Sequence, residues 1–560
     1  MPHRIRHFVS LTTCLQLFAI CLAPVCTMQG LKAQEQSSIK DPQEASDKVA
    51  FFERFSDWPI DLRIKGRLIV ASSLEDTSTI WELLSNSSKD GKALLLCRHH
   101  ESKELLAEYQ NYFAEAELLG SLLDRDAIES AEVIAWHTSK NFRPQHQYLD
   151  RHAAVFEQVL SQGKTIIVVG GAAAWCSEKF ISNEKPHPEI ESGIGLIPDS
   201  ILETEFTDSD LPRVLSALAS HPGKVGIGID PNTALLLSGR KMIVSGSGGA
   251  TLLLASDGRA PYKRERIIPR TGERSQRPTE FLADLTQWRR EAIDRTLETF
   301  PPAEREKPCV PNGTLFIVGG GGMPEGLLAQ FVEAAGGDEA RLVYVPCSER
   351  DEVGDRHSIV SAWERMGVAS ATYIHTKDRT KANEDESFFA PLKEATGIWF
   401  GGGRQWNFSD SYYGTQTHRL MKEVLNRGGV IGGSSAGASI QASYLCRATP
   451  IENFLPMAPG YERGGLGFIA GVAIDQHFSQ RGRQKDMTSL VNRYPQLLGI
   501  GIDEATAIIV RGSEATVTGR GQVFFYDRSK DIFPDKPDYE AYPAGSVYDL
   551  DRRELISQPD

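Results

Sequence analysis

Beyond Cys26 the sequence has no apolar run long enough to cross a bilayer, which excludes a bundle of membrane-spanning helices. Cations are in deficit, with 61 Lys and Arg against 74 Asp and Glu. Nucleic acid is therefore not an expected partner, whereas a cationic substrate is electrostatically compatible. Cysteine is scarce: 8 in all, of which Cys14, Cys21 and Cys26 lie in the N-terminal segment. The remaining Cys97, Cys176, Cys309, Cys347 and Cys446 are odd in number and irregular in spacing, which fits neither a disulfide framework nor a zinc motif. There is no G-x-x-x-x-G-K-[ST], and no G-x-G-x-x-G opens a helix where a dinucleotide fold needs it, so phosphate binding is not expected.

What is present begins with Arg4 and Arg6 ahead of the run "FVSLTTCLQLFAICLAPVC". That order of charge and apolar core reads as a secretory signal peptide over residues 1–33, a short membrane anchor being the alternative. Thr12, Thr13 and Gln16 interrupt the apolar core and favour export to the periplasm or beyond. Cleavage near Ala33 would leave 58 cations against 74 anions, moving the net charge from −13 to −16. The 41% hydrophobic and 24% charged fractions are those of a soluble globular protein, and 560 residues exceed one ordinary core.

The chain resembles itself. "VGIGIDPNTALLLSGRKMIVSGSGGATLLL" from Val225 matches "LGIGIDEATAIIVRGSEATVTGRGQVFFYD" from Leu498 at an offset of 273, and upstream matches keep offsets between about 250 and 273. Each copy consists of short β-branched runs separated by helix-length stretches, such as "TLFIVGG", "RLVYVP", "TGIWFGGG" and "GGVIGGS". Continuous apolar strands suit a mostly parallel central sheet covered by helices on both faces, a three-layer α/β architecture. The expected organisation is a linker over 34–49, a first domain over 50–258, a linker with one helix over 259–310, a second domain over 311–535 and a tail over 536–560. The linker helix is expected from Thr279, with Phe281, Leu285, Trp288, Ala292 and Leu297 on one face, and the basic run Lys263 to Arg266 is expected to be solvated.

The second copy carries the chemistry. Gly433-Ser434-Ser435-Ala436-Gly437 fits G-x-S-x-G, in which a serine sits on a sharp strand-to-helix turn; the plain alternative is a tight turn of small residues. A nucleophilic serine needs a base, and His477 follows an apolar strand 42 residues later, where side chains of one sheet converge. "FGGGRQ" at Phe400 to Gln405 supplies glycine amides which, with that of Ala436, could form an oxyanion hole. "GGGG" at Gly319 to Gly322 reads as a close-approach loop lining the same cleft.

Together "GGSSAGAS", "FGGGRQ", "DQHFSQRGR" and "GIGIDEATA", spread over residues 312 to 530, resemble the cyanophycinase and peptidase E family of serine peptidases, most closely its cyanophycinase branch. The resemblance implies a class I glutamine amidotransferase-like, flavodoxin-like fold. It implies Ser435 as nucleophile, His477 as base and then acid, and Gly402 with Ala436 as oxyanion donors. Gln405, Asp475, Gln476, Arg481 and Arg483 would line the substrate pocket. The family's spacing points to Glu452 as the acidic member, with Glu504 and Asp475 as alternatives. The implied substrate is cyanophycin, a polyaspartate bearing arginines in isopeptide linkage, or a related β-aspartyl peptide. Its carboxylates would be gripped by Arg481 and Arg483 and its guanidinium by pocket acids. No metal or other cofactor is required. The chain departs from the family where Lys485 and Asp486 stand in place of a third cation after "RGR".

Aligned with the second copy, the first places Ala173 opposite Ser435, Glu205 opposite His477, and Thr138 and Ser139 opposite Gly402 and Gly403. It also places Ser209 and Leu211 opposite Arg481 and Arg483, and Pro231 opposite Glu504. Every chemical residue is missing while the apolar framework persists, so the first copy is expected to be a catalytically dead scaffold completing an intramolecular pseudo-dimer. The competing readings are an aspartyl dipeptidase of the peptidase E type, an α/β-hydrolase esterase, whose histidine would fall nearer the C-terminus, and a non-catalytic peptide- or polymer-binding protein.

Overall fold

Residue alternation along the central strands shows why their apolar runs are continuous. In Val310–Val318, Leu315 and Ile317 face one hydrophobic cluster while Phe316 and Val318 face another. Ile398 and Phe400 are likewise separated from Trp399 in Gly397–Phe400. Both faces are therefore buried, one under helices Leu327–Ala334 and Ser358–Met366 through Phe331 and Trp363. The other lies under Glu386–Glu394 and Gln416–Asn426 through Phe389, Leu392, Met421 and Val424.

These features come from a computed structural model that describes residues 64–75, 77–84, 91–97, 102–119, 125–142, 146–182, 188–269, 283–450 and 455–559. The expected signal peptide, the 34–49 linker, the start of the first domain, Thr279 and Phe281 lie outside the described residues. Among the described residues no helix is long and apolar enough to cross a membrane.

The described residues form a mixed α/β structure with four sheets. In the first half, one sheet runs Glu115–Leu118, Lys92–Leu96, Val133–His137, Thr165–Val169, Ile64–Ala71, Thr233–Gly239, Lys241–Gly246 and Ala283–Asp284. In the second, the order is Ser370–Tyr373, Arg341–Val345, Gly397–Phe400, Val430–Ser434, Val310–Val318, Thr506–Gly512, Glu514–Gly519, Val547–Asp549 and Glu554–Ser557. In both, the first five strands pair in parallel and the rest antiparallel. The sheets are thus less parallel than expected, because Gly239 (φ 59°) and Gly512 (φ 57°) fold the chain into hairpins where a helical crossover would have kept it parallel. Each half also carries a smaller sheet; that of the second half runs Ala442–Tyr444, Ile469–Gln476, Leu498–Ile502, Gln522–Tyr526 and Glu540–Pro543.

Two stretches expected to connect or trail are built into the core. Lys263–Ile267 pairs as an edge strand with Ala250–Leu254, and its Lys263 is bound by Glu291 at 2.6 Å, so the basic run is not simply solvated. Helix Leu285–Asp294, capped by Asp284 accepting from Gln287 N at 3.0 Å, buries Leu285, Trp288 and Ala292 in the first half's core. On the same helix Arg289 reaches Asp199 in the first half at 2.7 Å and Arg290 reaches Asp410 in the second at 3.0 Å. Leu297 falls beyond the helix end and packs against the second half's core. At the C-terminus, residues 540–557 contribute three strands, and Tyr548, fully buried, stacks on Phe525 with centroids 3.8 Å apart. Removing that ring leaves a cavity, so Tyr548→Ala is expected to lower unfolding free energy by about 3 kcal/mol in urea titration; an unchanged midpoint would show a dispensable tail.

Candidate active site

Strand Val430–Ser434 delivers Ser435 at the end of the nine-stranded sheet, where its backbone turns to φ 58°, ψ −113° before the short helix Ala436–Ser439. Ser435 N donates to Val318 O at 3.0 Å, fixing the turn on the neighbouring strand. A side chain on Gly433 would enter the Gly437 carbonyl and one on Gly437 the Phe400 carbonyl, so both flanking glycines are steric requirements. Gly402 abuts the same turn: a methyl there would stand 3.5 Å from Ser435 Cβ.

His477 comes from the other sheet. It follows Ile469–Gln476 in a left-handed conformation (φ 50°), its N–H donating to Gly319 O at 2.8 Å. Its Nε2 lies 3.0 Å from Ser435 Oγ and its Nδ1 2.6 Å from Glu504 Oε1. Glu504 follows the adjacent strand Leu498–Ile502, and its N–H donates to Gln480 Oε1 at 3.0 Å. The glycine run explains this closeness. A Cβ on Gly320 would stand 2.5 Å from Cε1 and Nε2 of the imidazole, and one on Gly321 would overlap the Glu504 carboxylate. Burial lowers the His477 pKa below its ordinary 6.5, opposed by the hydrogen bond to Glu504 and assisted by the nearby Arg481 charge. At neutral pH the ring is therefore poised as a base.

The sequence profile of Peptidase family S51 matches residues 315–518, the segment that holds Ser435, His477 and Glu504. A cyanophycinase of Geminocystis herdmanii is 30% identical over 210 residues, 36% of this chain and 74% of that protein. The chain belongs to peptidase family S51. A cyanophycinase of Trichormus variabilis is 28% identical over 244 residues, 42% of this S51 chain and 78% of the relative. The crystal structure of a peptidase from an acI-B1 Actinobacterium is 20% identical with a TM-score of 0.32, covering 42% of this chain and 97% of that one. Membership in S51 makes the protein a serine-type peptidase.

Beside Ser435 the S51 cleft opens into a cavity of about 270 Å³ lined by Gly403, Arg404, Gln405, Arg447, Gln476, Arg481 and Arg483. Among the described residues its charged lining is all arginine. Asp475, expected to line the pocket, lies beneath it instead, 2% exposed, because its carboxylate is taken up by Arg447 Nε and Arg483 Nη1, both at 2.7 Å. Gln405 turns its amide inward to the Cys446 and Arg447 carbonyls at 2.6 and 2.9 Å. Arg483 is buried and also donates to Gln476 O at 2.7 Å, whereas Arg481 is exposed at the rim. Glu452, favoured by spacing, lies outside the described residues, and Glu504 is the carboxylate set on the imidazole.

Two lining residues, Arg404 and Arg447, escaped the sequence reading. The signal for Arg447 was Asp486: standing where a cation was expected, it binds Arg447 Nη2 at 2.6 Å. One alignment also needs correction. Ala71 pairs with Val169 as Val318 pairs with Ser434, so in strand register the residue placed like Ser435 is Gly170 (φ 83°) and not Ala173, which lies within the 3-10 turn Gly170–Cys176 that follows the strand. The pairing of Thr204 with Ile229, like that of Gln476 with Ile502, keeps Glu205 opposite His477, and it shares the left-handed backbone (φ 56°). There Ser73 N and Oγ cap the Glu205 carboxylate, both at 2.6 Å.

Two outcomes follow for the S51 site. Gly320→Ala would displace the imidazole, and kcat/KM is expected to fall about 100-fold or more with an unchanged far-UV spectrum; near wild-type activity would show that the clearance is not needed. Because the base works unprotonated and its pKa is lowered, the acid limb of the pH profile for kcat/KM should have its midpoint below 6.5; a midpoint above that value would contradict the burial effect.

Proposed function

We propose that the chain is an exported serine exopeptidase that hydrolyses cyanophycin or related β-aspartyl-linked peptides to dipeptides. The observation that carries this reading is the line Ser435 Oγ, His477 Nε2 and Nδ1, Glu504 Oε1 ending in an arginine-walled cavity. His477 takes the Ser435 proton as Oγ attacks the scissile carbonyl, and the oxyanion rests on the amides of Gly402 and Ala436. The imidazolium, held by Glu504, then protonates the leaving amine. Water, deprotonated by the same nitrogen, releases the acyl group and frees Ser435. Arg404, Arg447, Arg481 and Arg483 bind the free carboxylates of an aspartyl substrate, and Asp475 aims two of these guanidiniums from below.

The first half is a degenerate copy of the catalytic half, packed against it as a pseudo-dimer. Supporting this are the shared strand order, the shared left-handed backbone at Glu205 and His477, and the loss of every reactive side chain in the first half. Residues 1–33 act as the export signal, on the strength of their charge and apolar pattern.

A second reading, an aspartyl dipeptidase of the peptidase E type, is favoured by one feature: among the described residues no carboxylate lines the cavity to receive a substrate guanidinium. Incubating the purified protein with cyanophycin and, separately, with aspartyl dipeptides decides between them. Soluble dipeptide from cyanophycin, absent with Ser435→Ala, is the expected result. Cleavage of aspartyl dipeptides alone would favour the second reading, and equal activity in the Ser435→Ala variant would remove the serine mechanism.

A further inference from the structure

Arg240 stands outside the residues matched by the S51 profile, at the tip of the first-half hairpin between Thr233–Gly239 and Lys241–Gly246. Each of its three guanidinium nitrogens donates to a partner. Nε donates to Asp284 Oδ2 at 2.7 Å, Nη1 to Asp410 Oδ2 at 2.8 Å and Nη2 to Tyr461 OH at 2.6 Å. Its flat face lies 4.2 Å from the centre of the Trp406 ring. The anchor is itself rigid: Asp284 caps helix Leu285–Asp294, and Leu285 N donates to Arg240 O at 2.8 Å. Tyr461 OH donates in turn to Asp410 Oδ1 at 2.9 Å, closing the network.

Three of these partners belong to the catalytic half, and two lie on one short helix. Trp406–Tyr412 carries both Trp406 and Asp410, and it begins directly after Gly401-Gly402-Gly403-Arg404-Gln405. One end of that loop is held by strand Gly397–Phe400 in its parallel pairing with Val430–Ser434. The other end is held by this helix, which Arg240 grips from the first half while Arg290, Lys377 and Arg379 bind it as well. Because Gly402 abuts Ser435, a shift of the helix moves the loop relative to the serine.

We propose that Arg240 is a positioning residue for the reaction, through which the first half sets the Gly401–Gln405 loop against Ser435. A planar fork is required for this role: it meets two carboxylates and a hydroxyl while stacking on an indole, a combination that an ammonium cannot reproduce. The inference rests on the serine mechanism proposed above, and it gives the first half a part in catalysis in addition to packing.

The test uses the full chain and a fluorophosphonate probe, which reports serine reactivity without a chosen peptide substrate. Labelling of the wild type at Ser435, abolished in Ser435→Ala, tests the underlying mechanism; an unlabelled wild type would overturn that mechanism and this inference together. The expected result for Arg240→Gln is a saturating labelling rate lowered about tenfold or more, with the half-saturating probe concentration changed less than about twofold. Arg240→Lys should recover part of the rate, and both variants should keep the wild-type far-UV spectrum. An unchanged saturating rate in a folded variant would overturn the inference and leave the mechanism standing. Loss of folded protein in both variants would overturn it as well, because Arg240 would then serve the fold and not the loop.

Discussion

The candidate site depends on the packing of the His477 imidazole directly on the backbone of Gly320. Serine and histidine come from different sheets, Val430–Ser434 in the nine-stranded one and Ile469–Gln476 in the five-stranded one. The Gly319–Gly321 segment joins them at this point, through His477 N to Gly319 O and Ala505 N to Gly320 O, both at 2.8 Å. A side chain on Gly320 would meet the imidazole and displace Nε2 from Ser435. Non-glycine residues at positive φ cluster here, Ser435, His477 and Ala505 among them, each costing of order 1 kcal/mol or more. Such strain persists where the surrounding hydrogen bonds over-determine the backbone, and this junction is such a place.

Charge organises the cleft from below. Asp475, sealed under Arg447 and Arg483, adds little to net stability, because burying a carboxylate offsets most of what its ion pairs return. Its effect is directional: it holds two guanidiniums side by side that would otherwise repel and drift apart. Two of the four arginines beside the serine, Arg447 and Arg483, are placed by that buried carboxylate, and Asp486 also binds Arg447. Arginines so placed are suited to bind carboxylates, which is the basis of the proposed aspartyl substrate.

Much of this was legible in the sequence, for physical reasons. Strands buried on both faces must read as unbroken apolar runs, and "TLFIVGG" and "GGVIGGS" do. Ser435 and His477 each follow such a run, and the structure sets them 3.0 Å apart. Glu504 was harder to choose over Glu452 because the acid is defined through space, by neighbouring strand ends, and not by distance along the chain. Arg447 could not be read from the motif, since it enters from a separate loop in a left-handed conformation (φ 56°). The edge strands at 263–267 and 540–557 escaped because exposed, charged edges carry little apolar periodicity.

The central claim is that Ser435, His477 and Glu504 act as one unit. The most direct measurement is the rate constant for hydrolysis of a β-aspartyl substrate in the variants Ser435→Ala, His477→Ala and Glu504→Ala, alone and combined. Residues of one unit are non-additive, so the combined variants should be no slower than Ser435→Ala alone. Losses that instead multiply across the three positions would show independent contributions and contradict the account.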